Sequence, residues 1–259
     1  MKKKNIRLNN FIVATALPVL NTYISSNSIR AYSTNSIKNI SSPCAAGVAT
    51  HLIQSRFKQA REDLHYIIIG IMLGDGSLYR SSPTANVRFE MSLGQKYEEF
   101  ALELGDIFKD YMSNPVKALE IKGKTKNYTN FRLKTRSLPI FVEYYNMFYE
   151  FNQDSNKFVK IIPKNIDELM NSIVLAYLIM TDGNFDKGRN RVRIYTNSYS
   201  KEEVENLAKA INNNLGIYTG VLYDRNNQWI LTIGAKYLNL LRDNTSKYFH
   251  KSMLYRIGL

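Results

Sequence analysis

The sequence contains a single cysteine, Cys44, which excludes an internal disulfide framework and a cysteine-rich zinc site. Long apolar runs are also missing: the longest, Phe11 to Leu20, is much shorter than the roughly 18 residues that a membrane-spanning helix needs. We therefore expect no membrane partner. Histidine is scarce as well, and no metal-ligand spacing links the three that occur, at His51, His65 and His250.

Acidic residues are absent from the first 61 positions, which contain nine lysines or arginines among serines and asparagines. This composition predicts a mitochondrial transit peptide and a location in the mitochondrial matrix. Arg30-Ala31-Tyr32-Ser33 resembles a matrix-protease cleavage site. A secretory signal with Phe11 to Leu20 as its apolar region, or a disordered extension, are the alternatives. In each case residues 1–55 form an N-terminal extension outside the folded part.

The formal net charge of +13 lies mostly on that extension, because residues 62–259 contain 26 basic and 22 acidic residues. Bulk charge is therefore weak evidence for a nucleic-acid partner. Local clusters of basic residues are more informative. They occur in two segments, one with Lys122, Lys124, Lys126, Arg132, Lys134 and Arg136, the other with Lys187, Arg189, Arg191 and Arg193.

An apolar run that closes on a small residue, an aspartate and a glycine occurs twice, at residues 68–76 and 175–183. The two aspartates, Asp75 and Asp182, lie 107 positions apart. One Gly-Asp-Gly sequence is an ordinary turn. Its duplication after two similar apolar segments indicates two half-domains that build one active site.

Each apolar run predicts a helix, at residues 64–74 and 169–181, with Pro163 and Asp167 as start signals of the second. A helix that is apolar on every side must be buried on every side, so we expect the two to pack against each other. Gly70 and Gly74, four residues apart, would allow the backbones a close approach. Thr181 occupies the position that matches Gly74.

The patterns that follow each run also repeat, and each half is predicted as α-β-α-β-β-α. A polar turn and an alternating strand come first, then an amphipathic helix, two strands and a closing helix. We therefore divide the folded part into half-domains at 56–151 and 164–259, with residues 152–163 as the linker. The predicted elements after the motif helices are 86–92, 95–111, 116–121, 129–135 and 137–150 in the first half, and 191–197, 200–214, 217–223, 228–233 and 235–244 in the second.

With the repeat, the two motifs resemble those of single-chain LAGLIDADG homing endonucleases of the kind found in fungal mitochondrial introns. Ile162-Pro163-Lys164-Asn165, Thr196-Asn197-Ser198 and the closing His250-Lys251-Ser252-Met253-Leu254-Tyr255 are similar to that family's second half. The resemblance implies an α+β fold, a pseudo-symmetric tandem repeat of two αββαββα-like half-domains with saddle-shaped antiparallel sheets and a central two-helix interface. It further implies site-specific double-strand cleavage of DNA in intron homing, with Asp75 and Asp182 as the catalytic carboxylates.

The expected position of these aspartates suits a divalent cation. The last carbonyls of a helix lack partners, the helix dipole is negative there, and two crowded carboxylates repel each other. We expect Mg²⁺ or Mn²⁺, held by Asp75 and Asp182 with the carbonyls of Gly74 and Thr181 as further ligands. Gly76 and Gly183 are expected in left-handed caps. The basic residues expected at the scissile phosphates are Lys134 or Arg136 in the first half and Lys247 in the second.

The alternating strand faces are expected to meet the major groove, where arginine reads guanine and asparagine reads adenine. The residues predicted to contact bases are Arg88, Glu90, Arg191, Arg193 and Asn197. The loop with Lys122, Lys124 and Lys126 is expected to bind phosphates, and the other predicted DNA-binding residues are Arg132, Arg136, Lys187 and Arg189. Solvated surface charge is the alternative for all of them.

Two other functions fit the same fold. One is a maturase that binds group I intron RNA, and the other is a DNA-binding protein without catalysis. Retention of both Asp75 and Asp182 favours the nuclease. The expected partner is double-stranded DNA with a long asymmetric target site, and the expected state is a monomer, because one chain contains both halves.

Overall fold

The computed structural model describes residues 62–123, 127–224 and 228–259. The N-terminal extension and the basic residues Lys124 and Lys126 lie outside the described residues. The first motif helix, α1, covers residues 62–73, and the second, α5, is Ser172–Asp182. The other helices are α2 (Glu98–Phe108), α3 (Ile140–Phe148), α4 (Ile166–Leu169), α6 (Lys201–Leu215) and α7 (Leu238–Thr245). Short 3₁₀ helices cover Gln95–Tyr97, Lys109–Tyr111, Ala235–Tyr237, Ser246–Tyr248 and Lys251–Ile257.

Two antiparallel sheets of four strands carry the repeat. Their strand orders are β1-β2-β4-β3 and β7-β8-β10-β9, so the second sheet repeats the topology of the first. The predicted α+β fold with two similar halves is confirmed. The strands of the first sheet are β1 (Ser77–Arg80), β2 (Val87–Gly94), β3 (Lys117–Lys122) and β4 (Asn127–Lys134), and those of the second are β7 (Gly183–Asp186), β8 (Arg191–Tyr195), β9 (Gly220–Asp224) and β10 (Gln228–Ile233).

Three details differ from the sequence prediction. The segments predicted as polar turns after the motifs are the edge strands β1 and β7, which lie directly beside β2 and β8. The connection predicted as a linker contributes to a hairpin of β5 (Tyr149–Asn152) and β6 (Lys157–Lys160). The helix predicted over 169–181 begins at Ser172, because the Asn171 side chain caps it by accepting hydrogen bonds from the amides of Ile173 and Val174.

The two motif helices are buried and in direct contact, as predicted. From Ile68 to Leu73 on α1 and from Val174 to Thr181 on α5, the side chains that line the helices are almost fully buried. A Cβ atom on Gly70 would lie 2.7 Å from both the Tyr177 Cβ and the Val174 carbonyl oxygen, so the absence of a side chain allows the backbones to meet. Within the described residues no helix is long and apolar enough to cross a membrane.

Alternation along β2 separates two faces of the first sheet, as predicted. Val87, Phe89 and Met91 are buried against the helices, where the Phe89 and Phe108 rings stack with centroids 4.9 Å apart. Arg88 and Glu90 lie on the opposite face. Each sheet therefore keeps one polar face away from the core.

Candidate active site and nucleic-acid interface

The two predicted aspartates lie at the ends of the two motif helices, where the helices touch. Asp75 follows the end of α1, and Asp182 is the last residue of α5. A Cβ atom on Gly74 would lie 2.5 Å from the Asp182 Oδ2 and 2.1 Å from the Thr181 Oγ1. The carboxylate of the second motif therefore lies against the backbone of the first, next to Asp75.

Glycine is required after each aspartate because a side chain would not fit there, and not because the backbone is left-handed. Gly183 has φ −81° and ψ 157°, and the described glycines with positive φ are Gly216 and Gly258. The predicted left-handed caps at Gly76 and Gly183 are therefore wrong, because the chain passes directly from each helix into an edge strand. A Cβ atom on Gly76 or Gly183 would lie 2.9 Å or 2.5 Å from a carbonyl oxygen of the preceding helix turn.

A lysine from the hairpin, Lys160, reaches the end of the first motif. Its Nζ donates hydrogen bonds to the carbonyl oxygens of Gly74, at 2.5 Å, and Gly76, at 2.8 Å. Sequence reasoning missed Lys160 because the segment was assigned to a linker. The available signal was the strand-like Lys157-Phe158-Val159-Lys160 after the turn residues Asp154-Ser155-Asn156.

An arginine takes the corresponding place at the second motif. Arg256, from the last 3₁₀ helix, donates a hydrogen bond to the Gly183 carbonyl and another to the Tyr97 hydroxyl at 2.8 Å. Its side chain is buried, and its Nε atom has no hydrogen-bond partner in the structure. The closing segment identified from the sequence, residues 250–255, ends one position before it. Each motif thus ends on a glycine whose carbonyl binds a cationic side chain.

Burial and mutual repulsion make the two carboxylates difficult to ionise together. The pKa of Asp182 is raised to about 7, first by burial and then by the charge of Asp75, while Lys160 and Arg256 act in the opposite direction. Burial also raises the pKa of Asp75, again against the charges of Arg256 and Lys160. The pKa of Lys160 is lowered to about 8 by burial, although both aspartates favour its charged form. This is the electrostatic character of a functional site.

The contacts described for Lys134 and Lys247, which were predicted at the scissile phosphates, are with side chains other than the two aspartates. The Nζ of Lys134 is 3.9 Å from the Glu90 Oε1 on the polar face of the first sheet. The Nζ of Lys247 lies 4.9 Å from the centre of the Tyr248 ring. The predicted alternative, Arg136, donates to the Asp110 carbonyl at 2.8 Å. The cations that act on both aspartates are Lys160 and Arg256, from segments that the strand pattern did not include.

The residues that could hold a metal ion are few. Within the described ranges no group of three or more histidines, cysteines or carboxylates lies together. Asp75 and Asp182 supply oxygen donors, and the Gly74 carbonyl already accepts a hydrogen bond from Lys160. The further ligand predicted at the second motif is the Thr181 carbonyl, and the Thr181 hydroxyl adds no donor to the site because it donates to the carbonyls of Tyr177 and Leu178 in its own helix. The carboxylates of Asp75 and Asp182 are therefore the main oxygen donors that this site offers a metal ion.

The polar face of the first sheet carries most of its predicted DNA-binding residues. Glu90 lies beside Arg88 and pairs across the strands with Lys134, and Ser92 pairs with Arg132. Glu90 forms ion pairs with Arg88 and, at 2.7 Å, with Arg132. Arg88, Arg132 and Lys134 therefore form one charged surface on this sheet. Lys122, the exposed last residue of β3, comes five positions after Lys117, the partner of Arg132, and so lies on the other face.

The second sheet presents a different polar face. The Arg191 Nε is 3.1 Å from the Asp186 Oδ2, and the Arg193 guanidinium lies 4.0 Å from the Asp224 Oδ1. Asn197, just beyond β8, donates to the Gln228 side chain at 2.9 Å. The turn between β7 and β8 carries the two other predicted residues, Lys187 and Arg189.

Comparison with known proteins agrees with this architecture. The chain is 28% identical over 140 residues to the cytochrome b mRNA maturase bI2 of Saccharomyces cerevisiae; the match covers 53% of the chain and only 32% of the maturase. It is 25% identical over 159 residues to the DNA endonuclease I-ChuI of Chlamydomonas applanata, covering 59% of the chain and 72% of that protein.

A solved structure shares the fold. The homing endonuclease I-WcaI bound to its DNA recognition sequence superposes with a TM-score of 0.67 at 21% identity, over 76% of the chain and 86% of that protein. The family model of the LAGLIDADG DNA endonuclease family matches residues 65–241, which include both motifs and both sheets. The chain therefore belongs to the LAGLIDADG DNA endonuclease family.

Proposed function

We propose that this protein is a site-specific endonuclease that hydrolyses one phosphodiester bond in each strand of double-stranded DNA. The observation that carries the proposal is the junction of the two motif helices. There, the carboxylates of Asp75 and Asp182 meet two cationic side chains, the half-buried Lys160 and the buried Arg256, between two sheets of the same topology. A carboxylate pair with flanking cations is suited to phosphate chemistry.

The carboxylate pair fits a divalent cation. Asp75 raises the pKa of Asp182, and a cation held between the two would relieve that repulsion. Mg²⁺ needs only one or two protein carboxylates, because water and substrate phosphate complete its ligand set. Asp75 and Asp182 would hold Mg²⁺ or Mn²⁺, which when bound would supply an activated water and charge stabilisation at the phosphate.

Lys160 and Arg256 act on the substrate side of the same site. Both are held in place by hydrogen bonds to the carbonyls that end the motifs, so their positive charges are oriented before DNA binds. Preoriented positive charge stabilises the negative charge that develops on a phosphate during hydrolysis. Lys160 serves the first motif and Arg256 the second.

The polar faces of the two sheets bind the DNA. The similarity to I-WcaI, whose structure contains its DNA recognition sequence, supports this assignment. The first face carries the ion cluster of Glu90, whereas the second carries separate pairs at Arg191 and Arg193. Two different faces in one chain favour an asymmetric target, read by a monomer.

A second function has an observation of its own. One relative is named a maturase, which favours intron RNA as another ligand. In a maturase without nuclease activity the sheets would bind RNA and the carboxylates would be dispensable.

In vitro selection followed by cleavage tests the proposal. The full chain is used to enrich binding sites from a randomised duplex library in EDTA, and Mg²⁺ is then added to the enriched duplex. We expect cuts in both strands by the wild type and by Asp243→Asn, a control at an exposed position on α7. Asp75→Asn should bind the duplex without cutting it. Binding of structured RNA but no enrichment of DNA would instead favour the maturase.

We also propose a mitochondrial location, on the acid-free composition of residues 1–61. A fusion of this segment to a fluorescent protein should enter mitochondria in a eukaryotic cell, and a variant with its lysines and arginines replaced by glutamine should not.

A further inference from the structure

One carboxylate on the polar face of the first sheet is surrounded by basic side chains from two strands. Glu90 lies in the middle of β2, two positions after Arg88, and directly opposite Lys134 on β4. Its Oε1 accepts a hydrogen bond from the Arg88 Nε, and its Oε2 accepts one from the Arg132 Nη2 at 2.7 Å. Both oxygens of Glu90 are therefore used within the protein.

The arginine side chains keep donor groups that these contacts do not use. Arg88 bonds through Nε, which leaves the terminal amino groups of its fork for an acceptor outside the sheet. Its guanidinium also lies 3.9 Å from the centre of the Tyr79 ring, which restrains it from a second side. The Arg132 side chain is 45% exposed and that of Arg88 23%, against 18% for Glu90. The donors are thus nearer to solvent than the carboxylate.

Electrostatics favours this arrangement at neutral pH. Burial alone would raise the pKa of Glu90, but hydrogen bonds from Arg88 and Arg132, with their charges, outweigh it and lower the pKa. Without an anion between them, the two guanidinium groups would repel and separate. Glu90 therefore stays ionised and determines where both groups point.

The matching position of the second half has no carboxylate. Val87-Arg88-Phe89-Glu90 aligns with Val192-Arg193-Ile194-Tyr195, so Tyr195 replaces Glu90. The Arg193 guanidinium lies 5.5 Å from the centre of the Tyr195 ring, and its Nε is buried without a hydrogen-bond partner. The paired and oriented arginines are a property of the first half.

We propose that Glu90 is a positioning residue that directs Arg88 and Arg132 to guanines in the half of the target that faces the first sheet. This role rests on the DNA-binding function proposed above. Arginine recognises guanine through two parallel hydrogen bonds to O6 and N7, a geometry that depends on the direction of the fork. Because both oxygens of Glu90 already accept hydrogen bonds from these arginines, we assign base recognition to the arginines and orientation to Glu90.

The experiment compares base preferences position by position. Wild type, Glu90→Gln and Glu120→Gln are each used to select from the same randomised duplex library. Glu120→Gln removes the same charge from the same sheet, but Glu120 pairs with Thr129, three positions before Arg132 on β4, and so lies on the face opposite Arg132 and Glu90. Circular dichroism verifies that each variant is folded, and Arg88→Ala and Arg132→Ala are included as independent variants.

We expect the wild type and Glu120→Gln to select guanine about tenfold over other bases at one or more positions of one half-site. Glu90→Gln should lower that preference to within about threefold at these positions while all other positions keep theirs. Arg88→Ala or Arg132→Ala should reduce preference at the same positions. Affinity for unselected DNA should not fall in Glu90→Gln, because a negative charge has been removed.

Two results would overturn this role while leaving the proposed function intact. One is an unchanged profile in Glu90→Gln, which would mean that the cluster is ordinary surface charge. The other is a loss confined to Glu90→Gln and absent from both arginine variants, which would mean that Glu90 contacts a base itself. Failure of the wild type and Glu120→Gln to enrich any site would instead overturn the DNA-binding function and this role together.

Discussion

Replacement of Asp182 by asparagine should stabilise the metal-free protein, and the gain should grow with pH. The folded protein keeps a proton on this carboxyl up to about pH 7, whereas the ordinary value for the unfolded chain is 3.8. Unfolding therefore releases a proton between these pH values, and the free energy of unfolding falls as the pH rises through this window. The pKa is raised, so the ionised form of this acid destabilises the fold.

The magnitude follows from the two pKa values. At 1.36 kcal/mol for each tenfold change in proton affinity, the cost of ionising Asp182 grows by about 2–3 kcal/mol between pH 5 and pH 8. The asparagine side chain in Asp182→Asn does not titrate, so this variant is not destabilised by ionisation at position 182. The difference in free energy of unfolding between variant and wild type should therefore increase by about that amount, and saturating Mg²⁺ should reduce the increase.

Urea unfolding followed by circular dichroism in EDTA at pH 5, 6, 7 and 8 measures this difference. Asp186→Asn is the matched control: its pKa is lowered by a hydrogen bond from Arg191, so its carboxylate is ionised in the folded and the unfolded chain across this range. Its effect should stay constant. If the difference in free energy of unfolding between Asp182→Asn and wild type were also independent of pH, the raised pKa of Asp182 next to Asp75 would be refuted.

Three further substitutions test the junction. Gly74→Ala should lower the free energy of unfolding in urea by about 1–3 kcal/mol, because its Cβ would lie 2.1 Å from the Thr181 Oγ1. Gly94→Ala is the control and should lower it little, because no atom lies within 4 Å of the added Cβ. Equal losses in the two variants would contradict the close packing. Tyr199→Phe should cost about 1 kcal/mol in the same assay by removing the bond to the Leu73 carbonyl, and no loss would mean that the bond contributes nothing. Lys160→Met should slow single-turnover cleavage about 100-fold while the Kd for DNA changes less than about threefold; a purely structural lysine would change both or neither.

The sequence allowed the motif helices, the repeat and the alternating faces of β2 and β8 to be predicted, because these depend on local periodicity. The edge strands β1 and β7 were missed, since four residues are too few for a clear alternation. Lys160 and Arg256 were missed for another reason. Each contacts a motif that is distant in the sequence, Lys160 from the hairpin and Arg256 from the last 3₁₀ helix. Lys134 was chosen because it lies in a basic strand, yet its side chain contributes to the Glu90 cluster.

The central claim is that Asp75 and Asp182 form one hydrolytic site for both DNA strands. Its most direct test is single-turnover cleavage of the enriched duplex, labelled on both strands, by wild type, Asp75→Asn and Asp182→Asn at matched protein saturation. We predict that the wild type cuts both strands in Mg²⁺ and neither in EDTA, and that each variant binds the duplex but loses cleavage by at least about 100-fold. Cleavage of both strands by both variants at the wild-type rate, or cleavage by the wild type in EDTA, would contradict the claim.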